Sequence, residues 1–314
     1  MGSALVLIGV GLVALIVSGE LFVRSAVSIA HRFQLSPLII GLTVVAFGTS
    51  LPELTVSVQA TLANQADIAV GNVVGSNIAN MLLVLGAAAL ITPFTVRDGG
   101  VRRDSLVMIA LSAFVVFLSF FEVLPRWIGW AMIASLVVYT LVQMRLGRSQ
   151  DEAPDEPELA GGMKVAVPVA VISLAGLVFG ADALVEGASN LARYMGVSEA
   201  VIGLTIVAVG TSLPELAISV IAAFRGHAAV AVGNAIGSNI FNVLMILGAA
   251  IAVGPLHFAP EIAQRDVWVM LGACTLVVGL IWSGGRLNRL EGLVALVLYF
   301  VYSAFLFYAA APAA

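Results

Sequence analysis

GLTVVAFGTSLPEL, residues 41–54, decides how this chain is read, because it returns as GLTIVAVGTSLPEL at residues 203–216. Only two of the fourteen positions differ, Val44 against Ile206 and Phe47 against Val209. Each copy lies in a long apolar run and carries one carboxylate, Glu53 or Glu215. A charge at the middle of a membrane span costs about 3 kcal/mol or more, so it usually marks an ion or substrate path. Two such groups, symmetrically placed, imply a transporter.

Composition points the same way. Of 314 residues, 61% are hydrophobic and 10% charged, against about 25% charged in soluble domains. Apolar runs of about 20 residues cross a hydrocarbon core of roughly 30 Å, so the expectation is an all-α integral membrane protein. Hydropathy and turn residues divide it into ten spans, near 4–31, 36–62, 67–92, 105–122, 126–146, 163–194, 198–224, 228–254, 267–283 and 289–310. The first run has no preceding basic residue and is too long for a signal-peptide core, so it reads as a retained span. The first and sixth runs are long enough to require tilting or extension beyond the bilayer. The net charge of -4 is scattered through loops and says little about nucleic acid. Cys274 is the only cysteine, which excludes an internal disulfide or a cysteine metal cluster.

Basic residues set the orientation. With the N-terminus outside, Arg24, Arg32, Arg97, Arg102, Arg103, Arg145, Arg148, Lys164, Arg225, Arg286 and Arg289 fall inside, and only Arg126, Arg193 and Arg265 outside. Both termini are then outside the cell (inner) membrane and the 147–162 loop is cytoplasmic. That loop, with Asp151, Glu152, Asp155, Glu156 and Glu158, does not fit EF-hand spacing, and its prolines read as a solvated connector.

The connector separates two copies of one unit. A constant offset of 162 pairs Glu20 with Asp182, Glu53 with Glu215, Ser76 with Ser238, Asn80 with Asn242, and Arg103-Asp104 with Arg265-Asp266. Residues 1–146 and 163–314 each hold five spans. Five is odd, so the second copy enters the membrane from the opposite side and the repeats are inverted.

Within GTSLPE, Pro52 and Pro214 lack an N–H and crowd the preceding turn, while Gly48 and Gly210 add backbone freedom. The helix is expected to break there and release the carbonyls of Ala46 and Phe47, and of Ala208 and Val209. Thr49 and Glu53 share a helical face, with Ser50 about a quarter-turn away. Hydroxyl, carboxylate and carbonyl oxygens are what Na⁺ and Ca²⁺ require. The bland alternative is a proline kink with Ser and Thr bonding back to the helix, but two near-identical copies count against it. In the second motif, GNVVGSNIAN at 71–80 and GNAIGSNIFN at 233–242, Ser76 and Asn80 share a face, as do Ser238 and Asn242. Asn72, Asn77, Asn234 and Asn239 read better as interhelical hydrogen bonders than as ligands. Gly71, Gly75, Gly233 and Gly237 allow close helix approach. Glu20 and Arg24 are placed to pair, or Arg24 to bridge the repeats toward Asp182 and Glu186. His31, His227 and His257 lie near membrane edges and form no metal-ligand spacing.

The paired GTSLPE and GSNxxN motifs resemble those of the cation/Ca²⁺ exchanger superfamily, and the chain is similar to its compact prokaryotic Na⁺/Ca²⁺ exchangers. The resemblance covers residues 41–85 and 203–247 by motif and the whole chain by topology. It implies four clustered cation sites lined by Glu53, Glu215, Thr49, Ser50, Thr211, Ser212, Ser76, Asn80, Ser238 and Asn242, with the carbonyls of Ala46 and Ala208. Some relatives, including the potassium-dependent ones, carry aspartate where this chain has Asn242, so K⁺ co-transport is not expected. The short connector lacks the Ca²⁺-sensing domains of animal exchangers.

The function expected is therefore Na⁺/Ca²⁺ antiport by alternating access, electrogenic if a third Na⁺ binds. Na⁺ and Ca²⁺ are the transported ions and the lipid bilayer is the surroundings. A monomer suffices, and no cofactor is called for. H⁺/Ca²⁺ exchange is the runner-up, disfavoured because the proton-coupled branch typically lacks the GTSxPE signature. A cation channel would use similar oxygens as a filter, but inverted repeats around paired acids favour a carrier. An enzyme would need a nucleophile–base pair or a histidine metal set, and neither is visible.

Overall fold

The computed structural model describes residues 1–95, 99–146, 159–196 and 208–310. The five acids of the connector, Arg97, Arg148, Glu199 and residues 203–207 of the second motif lie outside the described residues, and Ala208 enters with its backbone alone.

Helices account for nearly all of what is described. They are α1 (Gly2–Phe33), α2 (Pro37–Thr49), α3 (Leu51–Leu62), α4 (Ala66–Ile91), α5 (Gly99–Leu118), α6 (Arg126–Leu146), α7 (Met163–Tyr194), α8 (Ala208–Gly210), α9 (Leu213–Phe224), α10 (Ala228–Val253), α11 (Ile262–Gly284) and α12 (Arg289–Ala310). Two short strands, β1 (Phe94–Thr95) and β2 (Arg286–Leu287), pair antiparallel. Among the described residues, seven helices are long and apolar enough to cross a membrane, or eight if α2 and α3, bent by 46°, make one span. α1 and α7 each have 32 residues, about 48 Å of helix at 1.5 Å per residue. That exceeds the hydrocarbon core, as the long runs require.

The same turns recur at the 162-residue offset. Gln34 and Gly196 both take positive φ after α1 and α7, at 52° and 82°. Asn64 and Gly226 do so after α3 and α9, at 59° and 83°. There the Gln65 N–H closes on Ala60 O, and the His227 N–H on Ala222 O, each at 2.8 Å. This left-handed residue with a bond back to the last helical turn is a common C-cap. The β1–β2 pair likewise has a counterpart in the Leu124–Leu256 bridge.

Two layers follow from burial. The most apolar stretches of α4 and α10 are 78% and 83% buried, whereas those of α6 and α12 are only 17% buried. The central pair is thus surrounded by protein and the outer pair is largely uncovered by it. Small residues set the close crossings. A Cβ at Gly129 of α6 would sit 2.3 Å from Gly248 O of α10, and one at Gly292 of α12 would sit 2.7 Å from Gly86 O of α4. Each half of the chain therefore lends its last helix to the long buried helix of the other, α6 to α10 and α12 to α4. Gly11, Gly180 and Gly187 seat α1 against α7 equally closely. Gly233 and Gly237 bring α10 onto Leu38 and Leu42 of α2. The positions that the offset matches to those neighbours of Gly71 and Gly75 lie at 200–204, outside the described residues.

Two helices start earlier than hydropathy places them. α5 begins at Gly99 rather than 105, and α11 at Ile262 rather than 267. Charge pushed both expected boundaries outward, yet the charged dipeptides are helical and their acids are buried. Arg103 Nε meets Asp104 Oδ1 at 3.1 Å and Arg265 Nε meets Asp266 Oδ1 at 2.6 Å. Gln143 of α6 also bonds Asp104, and Tyr302 of α12 donates to Asp266 at 2.9 Å. An acid with those partners no longer has to end a helix.

Candidate functional site

The break in the first repeat falls where proline dictates. Ser50 leaves the helical region at φ −84° and ψ 6°, between α2 and α3, with Pro52 in the first turn that follows. Ser212 repeats this at φ −90° and ψ 4° before α9. The released carbonyls differ from expectation. Ala46 O accepts the Ser50 N–H at 3.1 Å and the Thr49 hydroxyl at 3.4 Å, and Val209 O accepts the Ser212 N–H at 3.1 Å. The chain unwinds only after these bonds have formed, because proline removes the donor at position 52 or 214 and not at 50 or 212.

Thr49, Ser50, Glu53, Ser76, Asn80, Ser212, Glu215, Ser238 and Asn242 are all buried, each no more than 5% exposed. Thr211 is partly exposed and lines a cavity of about 230 Å³ with Pro52, Asp182 and Pro214. Contacts cross between the halves: the Ser50 hydroxyl donates to Glu215 Oε1 at 3.4 Å, and Thr49 Oγ1 to Asn234 Oδ1 at 3.4 Å. The broken segments are held by matched clamps. Asn72 Nδ2 donates to Glu53 O at 3.2 Å and to Ser57 Oγ at 2.9 Å. Asn234 Nδ2 donates to Glu215 O at 3.3 Å and to Ser219 Oγ at 2.9 Å.

What these residues leave unpaired is the informative part. Glu53 Oε2, Glu215 Oε2, Asn80 Oδ1, Asn242 Oδ1, Ser212 Oγ and Ser238 Oγ are buried without a hydrogen-bond partner among the described residues. A buried polar atom left alone costs about 1–3 kcal/mol, and the two matched pairs among these six, Glu53 with Glu215 and Asn80 with Asn242, form an arrangement that a bound ligand would stabilise. Two carboxylates with neutral amide and hydroxyl oxygens suit a hard cation. Among the described residues no group of three or more His, Cys, Asp or Glu side chains is placed to hold a metal. π-helical turns begin at Asn80 and Asn242, a local widening often found at functional sites that residue patterns do not show.

Outside the cage, Arg24 bonds Glu20 within α1 at 2.8 Å. Arg225, rather than Arg24, bridges the repeats from Glu20: its Nε donates to Glu20 Oε2 at 2.5 Å. Position 63, its counterpart, is alanine, so the offset could not have found it. His257 lies 3.7 Å from Asp67 on an exposed edge.

Helices broken beside buried acids and unpaired oxygens are an arrangement found in secondary cation transporters. The sodium/calcium exchanger protein family matches residues 3–145 and 165–308, and the chain belongs to that family of multi-pass membrane exchangers. It is 34% identical to the sodium/calcium exchanger MaX1 of Methanosarcina acetivorans over 95% of this chain and 97% of that protein. It is 38% identical to the inner membrane protein YrbG of Escherichia coli over 89% of each. The solved structure of the sodium-calcium exchanger NCX_Mj, soaked with 10 mM Na⁺ and zero Ca²⁺, superposes with a TM-score of 0.84. The two are 30% identical, and the match covers 96% of this chain and 98% of that one.

Proposed function

We propose that the chain exchanges Na⁺ for Ca²⁺ across the inner membrane by alternating access. The cage on this reading is Glu53, Glu215, Thr49, Ser50, Thr211, Ser212, Ser76, Asn80, Ser238 and Asn242, with the Ala46 and Ala208 carbonyls. The observation that carries it is that both acids and both asparagines matched by the 162-residue offset, Glu53 with Glu215 and Asn80 with Asn242, keep a buried oxygen without a hydrogen-bond partner among the described residues, as do Ser212 and Ser238. Two carboxylates give the cage a charge of -2, which one Ca²⁺ or two Na⁺ neutralises. Either load fits and both together do not, and that exclusion makes the carrier an exchanger. A third Na⁺ would leave the loaded state at +1 and make transport voltage-dependent. Without an acid at position 242, K⁺ is not required.

Ten spans in two inverted five-helix repeats, 1–146 and 163–314, are the architecture that goes with this. The recurrent turns, the exchanged outer helices and the contact of Ser112 Oγ with Cys274 Sγ at 3.5 Å, one repeat position touching its own counterpart, support it. The basic residues put both termini outside and the 147–162 connector in the cytoplasm.

The test is ⁴⁵Ca²⁺ uptake into proteoliposomes under an outward Na⁺ gradient. Uptake should collapse without the Na⁺ gradient and be indifferent to K⁺. Uptake driven equally well by a proton gradient in Na⁺-free buffer would replace Na⁺ with H⁺ as the coupling ion.

A further inference from the structure

An amide side chain has a carbonyl end and an NH₂ end, and only the first attracts a cation. Asn80 and Asn242 therefore serve a cation cage in one of two orientations, which their other contacts must select. Asn80 Nδ2 donates to Asn239 Oδ1 at 3.1 Å, and Asn242 Nδ2 donates to Asn77 Oδ1 at 3.0 Å. Both acceptors come from the opposite half of the chain, and both are buried, Asn77 fully and Asn239 to 1% exposure. With the nitrogens occupied, Asn80 Oδ1 and Asn242 Oδ1 are the ends left without partners among the described residues.

The orientation of each acceptor is itself fixed, but unequally. Asn239 Nδ2 donates to the backbone carbonyl of Asn77 at 3.2 Å and contacts Met108 Sδ and Cys274 Sγ at 3.6 and 3.7 Å. A backbone carbonyl only accepts, so turning the Asn239 amide would set oxygen against oxygen. Asn77 Nδ2 has Met270 Sδ at 3.6 Å, and a thioether is a weak acceptor. A chain of donors thus runs from a backbone carbonyl through Asn239 to Asn80, while the one through Asn77 to Asn242 ends on sulfur.

We propose that Asn239 and Asn77 are positioning residues that turn the amide oxygens of Asn80 and Asn242 toward the bound cation, with Asn80 locked and Asn242 switchable. This rests on the cation-cage reading above. It follows that position 242 accepts a group needing a donor, because Asn77 can turn at the loss of one thioether contact. Position 80 does not, because Asn239 cannot turn.

The experiment measures Ca²⁺ binding by the full-length protein in detergent at pH 8, as Ca²⁺-dependent thermal stabilisation in Na⁺-free buffer, alongside KM and kcat for Na⁺-driven uptake. Asn239→Leu should weaken Ca²⁺ binding by about tenfold and raise KM while kcat changes by less than about twofold. In an Asn80→Ser background, where a hydroxyl has no end to be turned, the same Asn239→Leu change should cost less than about twofold. An equal loss in both backgrounds would show a merely structural role and overturn the proposal. Should Asn239→Leu fail to fold, Asn242→Asp and Asn80→Asp decide: the first should bind Ca²⁺ at least about threefold more tightly than the second. Equal or reversed affinities would overturn the locked and switchable assignment. A parent that binds Ca²⁺ without Na⁺-driven uptake sinks only the coupling reading, since the binding comparisons still stand. A parent that binds no Ca²⁺ sinks the cage and the proposal together.

Discussion

The Ser50 hydroxyl lies 3.4 Å from Glu215, a carboxylate that enters the chain 165 residues later. The first repeat's broken helix thus touches the second repeat's acid, and the proposed cage draws on both halves.

Both acids should then be indispensable. Glu53→Gln or Glu215→Gln leaves one negative charge, too little to offset the desolvation of a divalent ion. Na⁺-driven ⁴⁵Ca²⁺ uptake is expected to fall by at least about 10²-fold in either variant. Exposed Glu122→Gln should leave uptake unchanged. Substantial uptake by either cage variant would end the two-glutamate reading.

Helix approach gives a separate test. A Cβ at Gly237 would meet Leu42 Cα at 2.7 Å and Leu42 O at 2.8 Å, contacts with backbone that cannot yield. Gly237→Ala should cost about 1–3 kcal/mol of stability. Gly272→Ala, with nothing within 4 Å, is the control. Thermal unfolding in detergent compares them, and equal midpoints would mean that α2 and α10 do not cross so closely.

Arg225 and Glu20 join α9 to α1 by charge at a partly exposed site. A double-mutant cycle with Glu20→Gln and Arg225→Gln should give a coupling of about 0.2–1 kcal/mol that shrinks as salt rises. Additive effects on unfolding would show that the pair does not join the halves.

Orientation is checked by labelling. Cys274 is fully buried, so the parent protein should resist an impermeant thiol reagent and need no cysteine removal. Cysteines placed at Gly2 or Ala314 should react from outside, and one at Ser149 should not. External labelling at position 149 would reverse the topology.

Much of the site was legible because the chain states it twice. Glu53 with Glu215, and Asn80 with Asn242, stand out by recurrence alone. What recurrence could not show is where one half departs from the other. Arg225 finds Glu20 although position 63 is alanine. Asn77 and Asn239 read as ordinary interhelical hydrogen bonders, since the direction of a hydrogen bond is invisible in a string of residues. Ala46 keeps its helical bond because proline acts two residues beyond the donor that satisfies it. Asp104 and Asp266 sit inside helices because Gln143 and Tyr302, from helices far along the chain, reach them.

The exchanged outer helices have a consequence for biosynthesis. When α6 leaves the ribosome, the Gly248 surface that receives Gly129 has not been made, and α4 presents Gly86 to a helix still some 200 residues away in the sequence. The helices of the first half must therefore wait in the membrane with two open seams, on α6 and α4, which α10 and α12 close later in translation. Two polypeptides severed within the connector should still find each other when made in one cell. Either one alone should remain a substrate for membrane quality control.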